Sequence, residues 1–113
     1  MNDLIKIENK LFLKEDVLIS FEYNIITFLQ LNNKIIIVVD IPKNKSDHNQ
    51  NVYCINTSGD KLWQLEYQEY PTDNCPINNV YEEMNSVKTY RWCGIEEVID
   101  INSGKIISCE LIK

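Results

Sequence analysis

The chain has 113 residues, 44% of them hydrophobic and 25% charged, with a formal net charge of −6 from 11 basic and 17 acidic side chains. That length fits one domain with a core of its own, and the composition is far from that of a disordered chain. The acidic balance argues against nucleic acid as a direct ligand, because phosphate contacts need clustered Lys and Arg, and against docking on an anionic membrane.

From the amino terminus onward, Leu4–Ile7 and Lys10–Leu13 are short apolar runs around Glu8-Asn9 and read as an opening hairpin. Val17–Tyr23 fits a strand or a brief helix, and periodicity does not choose between them. Ile25–Leu31 and Lys34–Ile41 flank Asn32-Asn33, a pair that tolerates the positive φ of a two-residue hairpin turn. Pro42 ends the second of these by removing a donor and fixing φ. The stretch from Pro42 to Gln50 holds no large apolar side chain, which predicts an exposed loop. Asn51–Ile55 and Leu62–Tyr67 then bracket Asn56-Thr57-Ser58-Gly59-Asp60, and Gln68–Asn79, with Pro71 and Pro76, reads as a second long connection. Val80–Met84, Val87–Cys93 and Ile95–Ile101 follow, and Lys105–Ile112 comes after Asn102-Ser103-Gly104.

Alanine, the best helix former, is absent, and Ile, Val, Tyr, Phe, Trp and Thr fill the runs. The expected fold is all-β: an antiparallel meander of about ten short strands, as a single curved sheet or a two-sheet sandwich. The longest apolar run, Ile35 to Val39, is far short of the ~20 residues of a spanning helix. Met1 to Lys6 lacks a signal-peptide pattern, so a cytoplasmic location is expected. Cys54, Cys75, Cys93 and Cys109 never form C-x-x-C and are expected as four free thiols packed as small apolar residues. With His48 the only histidine, neither a metal site nor a cofactor is expected.

An internal repeat lies within this pattern. Val52 to Leu62 aligns with Glu97 to Ile107 when Gly59 is matched to Gly104. In each copy a β-branched strand runs into Asn, Ser and Gly, then returns through Lys and an apolar strand. The pattern Val52…Asn56…Gly59-Asp60-Lys61-Leu62-Trp63, with Val98 to Ile106 as its second copy, resembles the hairpins of quinoprotein-type β-propeller blades. Ser108 and Cys109 stand where the second copy would carry the blade's Trp. The resemblance implies two blade-like four-stranded units, too few for a closed ring, and no quinone cofactor.

No phosphate-cradling, nucleophile-elbow or zinc-helix motif occurs. His48 lies in the polar stretch Ser46 to Gln50, where solvation is expected and no cavity could tune a general base. The chain is therefore not expected to be an enzyme. The doublets Glu82-Glu83 and Glu96-Glu97 each put one acid on either face of a strand, as solvated charge.

The most informative stretch runs from Leu62 to Val87, with no Lys or Arg inside it. Alternation gives Trp63, Leu65 and Tyr67 one face, predicted as core. Glu66, Glu69, Tyr70, Asp73, Glu82 and Glu83 form the candidate partner-binding set, with Glu69, Tyr70 and Asp73 in a Pro-bounded loop where exposure is expected. There tyrosine would supply desolvated contact and the carboxylates would steer encounter. The plain alternative is a solvated acidic loop. In general type the chain is similar to the immunity proteins that neutralise secreted bacterial nuclease toxins. That resemblance implies an antitoxin whose acids occlude the active site of a basic, nuclease-type toxin domain. The other reading is an assembly module of blade-like repeats that pairs with itself or with a larger β protein.

Overall fold

The structure is a computed structural model that describes residues 3–112. The expected all-β antiparallel fold is what forms: eleven strands and no helix among the described residues. β1 (Leu4–Ile7), β2 (Lys10–Leu13) and β3 (Asp16–Ser20) make the first sheet. β4 (Ile25–Gln30), β5 (Lys34–Val39), β6 (Val52–Asn56) and β7 (Lys61–Gln64) make the second. β8 (Ile77–Glu83), β9 (Ser86–Arg91), β10 (Ile95–Ile99) and β11 (Ile106–Leu111) make the third. Each sheet is an up-and-down meander in chain order. The Val17–Tyr23 ambiguity resolves as strand as far as Ser20, because β2 offers β3 partners from Lys10↔Ser20 to Leu13↔Asp16; Phe21–Tyr23 follow outside it.

The unbroken run Ile35–Val39 explains why there are three layers rather than one or two. A strand wetted on one side alternates, whereas all five of these residues are buried. Ile36 and Val38 pack with Val52, Cys54, Val80, Val87 and Ile99, between the second and third sheets. Ile35, Ile37 and Val39 pack with Leu11, Phe21, Ile25 and Ile55, between the first and second. The second sheet is thus the middle of a stack and buries both faces, each large aliphatic side chain contributing about 1.5–3 kcal/mol. Period-2 alternation alone assigns every one of these side chains to its layer.

The stretch from Pro42 to Gln50 is exposed from Lys43 to Ser46, as expected, but not at its end. His48 is buried, with Nδ1 donating to the Ile41 carbonyl (2.6 Å) and Nε2 3.0 Å from the Asn74 side-chain amide. The Gln50 amide donates to the Leu65 carbonyl (3.1 Å), and Asn49 Oδ1 accepts from the Cys75 N–H (3.0 Å). Just beyond, the buried Asn51 amide donates to the Val39 and Ile77 carbonyls (3.0 and 2.8 Å), while its Oδ1 accepts from the Ile77 N–H (2.9 Å). One side chain therefore imitates a strand and splices β5 to the start of β8. Polarity here marks a hydrogen-bonded seam between layers, since each buried backbone group needs a partner.

The hairpin at Asn32-Asn33 forms and closes through the Leu31 N–H to the Lys34 carbonyl (2.8 Å). Neither asparagine uses the left-handed region; Met84 and Asn85 do (φ 52° and 67°), as a two-residue turn between the paired Glu83 and Ser86. The matched glycines behave as the repeat implies. Gly59 (φ 90°) turns β6 into β7, and Gly104 (φ 77°) leads β10 into β11. A Cβ on Gly59 would sit 2.3 Å from the Leu18 carbonyl oxygen, and one on Gly104 2.5 Å from the Trp63 ring. We expect Gly59→Ala and Gly104→Ala each to destabilise by about 2–4 kcal/mol, combining left-handed strain with overpacking. Urea denaturation measures the loss; a change below about 0.5 kcal/mol at either site would show that the close approach is absent.

Candidate functional site

Strand pairing sorts the third sheet into two chemically different faces. Tyr81, Lys88, Val98 and Ser108 lie in one cross-strand row, and Tyr90, Glu96 and Glu110 in the next. These rows point away from the second sheet. The rows between them, Val80–Thr89–Glu97–Cys109 and Glu82–Val87–Ile99–Ile106, point toward it. The doublets therefore split as strand alternation requires, with Glu83 and Glu96 outward and Glu82 and Glu97 inward.

The outward face carries Glu83, Glu96 and Glu110 against the single cation Lys88. Lys88 Nζ pairs with Glu83 (2.8 Å) and lies 3.8 Å from Glu96. Its pKa is raised, chiefly by the Glu83 hydrogen bond. The Tyr81 hydroxyl donates to Glu96. Burial first, then that bond, push Tyr81 up to about 12. At the β9–β10 turn at the end of this sheet, Trp92 is 67% exposed. The result is a sheet face of phenol rings and carboxylates, with an exposed indole at its margin.

The inward face holds a different device. Arg91 and Glu97 are both fully buried and paired at 2.9 Å through Nε and Oε1. Arg91 Nη1 donates to the Asn49 and Cys75 carbonyls (2.8 and 2.7 Å). Thr89 donates to Glu97 Oε1 (3.2 Å), the Tyr70 hydroxyl donates to Oε2, and the Tyr70 ring covers the guanidinium at 4.1 Å. Among the buried side-chain nitrogens and oxygens of the described residues, only Arg91 Nη2 finds no partner. Burial, then the bond to Glu97, raise the Tyr70 hydroxyl well above the ordinary phenol range. Glu97 is therefore an internal ion rather than the solvated charge expected of its doublet. Tyr70 is a half-buried lid on that ion pair rather than an exposed loop aromatic.

The other nominated residues scatter. Glu66 caps β11 by accepting from the Ile106 N–H (2.6 Å). Glu69 and Asp73 are exposed in the loop around Tyr70, and Glu82 and Glu83 are exposed at the β8–β9 turn. β9 separates these two ends, from Ser86 to Arg91, by about 17 Å. Glu82 and Asp100 line a cleft of ≈ 730 Å³ with Asn32, Asn33 and Asn85, at the open end between the second and third sheets. Leu65 is buried as predicted and Trp63 is partly so, its indole donating to the Ile101 carbonyl (2.8 Å). Tyr67, predicted as core, is 69% exposed, because β7 ends at Gln64 and its alternation ends with it. The residues that sequence reasoning missed are Tyr90, Glu96, Glu110 and Trp92; cross-strand register was the signal needed to join the first three, and Trp92 lies in the turn beyond them.

The expectation of four free thiols also fails. Cys75 and Cys93 are disulfide-bonded with Cα atoms 5.1 Å apart, a pairing made by tertiary proximity across 18 residues rather than by local spacing. Cys54 is buried and free, its thiol pushed up to about 11 by burial, and Cys109 is exposed and free. No described helix is long and apolar enough to cross a membrane. No group of three or more His, Cys, Asp and Glu converges as a metal site among the described residues.

Comparison with known proteins adds a family and a fold. Residues 1–111 match the family described as Domain of unknown function (DUF7957). No curated protein matches the sequence. The crystal structure of the computationally designed Ika8 protein superposes with a TM-score of 0.69 at 13% identity, over 100% of this chain and 35% of that one. The present chain thus spans about a third of the designed protein's length, and the likeness is one of fold.

Two outcomes test the buried pair. Arg91→Met strands the Glu97 carboxylate and should destabilise by about 3–5 kcal/mol, whereas Arg91→Met with Glu97→Leu should recover most of that loss. If the double variant were as unstable as the single one in chemical denaturation, the penalty would not be that of an orphaned ion. The tyrosines predict the alkaline limb. Both folded-state pKa values lie above the unfolded value of about 10, so their stabilisation is complete below that pH. It drains as pH rises toward about 12 for Tyr81 and further still for Tyr70. The urea midpoint should fall between about pH 10 and 11.5, and Tyr70→Phe with Tyr81→Phe should flatten that fall.

Proposed function

Starting from a chain that belongs to the DUF7957 family, we propose a non-enzymatic protein-binding module that docks a basic protein on the outward face of the β8–β11 sheet. The observation that carries this reading is the face itself, three carboxylates to one ammonium among Tyr81 and Tyr90 on a sheet. A sheet face is preorganised, so little side-chain freedom is lost on contact. Phenol rings give broad contact with a polar edge, and an excess of carboxylates accelerates encounter with a cationic surface.

A nuclease-type toxin domain is the partner that suits this chemistry, because its active site is built to receive phosphates and carboxylates can occupy the same positions. The chain then acts in the cytoplasm as an immunity protein, by occlusion. Glu83 belongs to the docking face, Glu82 flanks it in the cleft, and Glu69 and Asp73 extend the acidic field at the far end. Glu66 and Tyr70 contribute by holding the loop between them in place.

A second reading, assembly with another copy or a larger β protein, is favoured by the outer face of the first sheet. Ile5, Phe12 and Val17 share a cross-strand row there, with Ile7 beside them. Ile5, Ile7 and Val17 are 55%, 57% and 49% exposed.

The test uses a purified basic nuclease toxin domain as the probe. Association should slow steeply with added salt, nuclease activity should be blocked at equimolar chain, and Glu96→Lys with Glu110→Lys should reduce the on-rate about tenfold or more. Unimpeded nuclease activity, or an on-rate indifferent to salt and to both reversals, would sink the docking reading.

A further inference from the structure

We infer that the Cys75–Cys93 bond is a redox-modification site that clamps the Leu65–Pro76 connection, with its exposed Tyr67, Glu69 and Asp73, onto the third sheet. This connection joins β7 to β8 and forms no strand of its own. Its first part is held by the Leu65 N–H on the Val52 carbonyl (2.8 Å) and the Glu66 N–H on the Gly104 carbonyl (3.1 Å). Its middle is held by Tyr70 on Glu97 and Arg91. Its end is held at Asn74 by His48 (3.0 Å), at Cys75 through Asn49, through Arg91 and through the sulfur link to the β9–β10 turn, and at Pro76, whose carbonyl accepts from the Trp92 N–H of that turn (2.8 Å). The sulfur link alone among these is covalent, and it can be opened by chemistry without unfolding a strand.

The two cysteines are unequally buried. Cys75 is fully buried, whereas Cys93 sits half-buried in the turn beside the exposed Trp92. A dithiol reductant therefore attacks the Cys93 sulfur, Cys75 leaves as thiolate, and the reductant's second thiol resolves the mixed disulfide. Two electrons and two protons pass from the dithiol to the protein, leaving a reductant disulfide and two protein thiols. With the link open, the connection keeps its hydrogen bonds and loses its one covalent anchor, so Glu69 and Asp73 are held less firmly beside the β8–β11 sheet. Only this last consequence, for partner docking, rests on the binding function proposed above; the clamp itself does not.

Hydrogen exchange with mass spectrometry on the full chain tests it, with the protein equilibrated first in glutathione disulfide and then in dithiothreitol. Thiol titration of the oxidised, denatured chain should count two thiols, Cys54 and Cys109, out of four cysteines. On reduction, peptides spanning 66–76 and 92–94 should exchange about tenfold faster, with those of β5 and β6 unchanged. Cys93→Ser should show the fast loop in either buffer, and reduction of the unaltered chain gives the same reading should that variant fold poorly. Four titratable thiols after oxidation, or equal loop exchange in both buffers, would overturn the clamp. Absence of any basic partner would leave that result standing and count against the docking function alone.

Discussion

Two charges with no access to water, Arg91 and Glu97, set the terms for the connections around them. Burying an ion is unfavourable by several kcal/mol unless its hydrogen bonds are made inside the protein. Asn49, Cys75, Thr89 and Tyr70 supply those bonds, and they come from the loop before β6, the connection before β8 and β9 itself. If any of these segments moved, the ion pair would lose a partner. The aliphatic layers could tolerate considerable repacking at constant volume, but the polar seam admits one arrangement. Asn51 extends the same logic to the join between β5 and β8, where one amide stands in for a strand.

What the sequence reveals depends on whether a residue obeys a local period. The opening hairpin, the doubly buried Ile35–Val39 run, the two glycine turns and the division of the glutamate doublets all follow from period 2 and turn chemistry. The number of sheets does not, because whether β4 pairs with β3 or starts a new sheet is a choice among distant partners. The seam is hidden for a related reason. Asn49, Asn51 and His48 look like loop residues in sequence, and nothing local says that their partners lie in residues 74–77 and 91.

The proposed docking surface was half legible for the same reasons. An acidic stretch without cations is visible as composition, and it led to Glu83 and Glu82. It also swept in Tyr70 and Glu66, which serve the interior. Glu96 and Glu110 lie outside that stretch and reach the face only because β10 and β11 pair in the register that sets them beside Tyr90. The cysteine pair was missed because a bond between a connection and a turn has no spacing signature.

With both faces of the middle sheet consumed inside the molecule, its two outer faces respond to solution conditions in opposite senses. Hydrocarbon dominates the first sheet's outer face, so contacts there strengthen with excluded salts and weaken on cooling. Carboxylates and phenols dominate the third, where contacts fade as ions screen them over about 10 Å. Ionic strength and temperature can therefore tell which end of this molecule is engaged before any partner has been named.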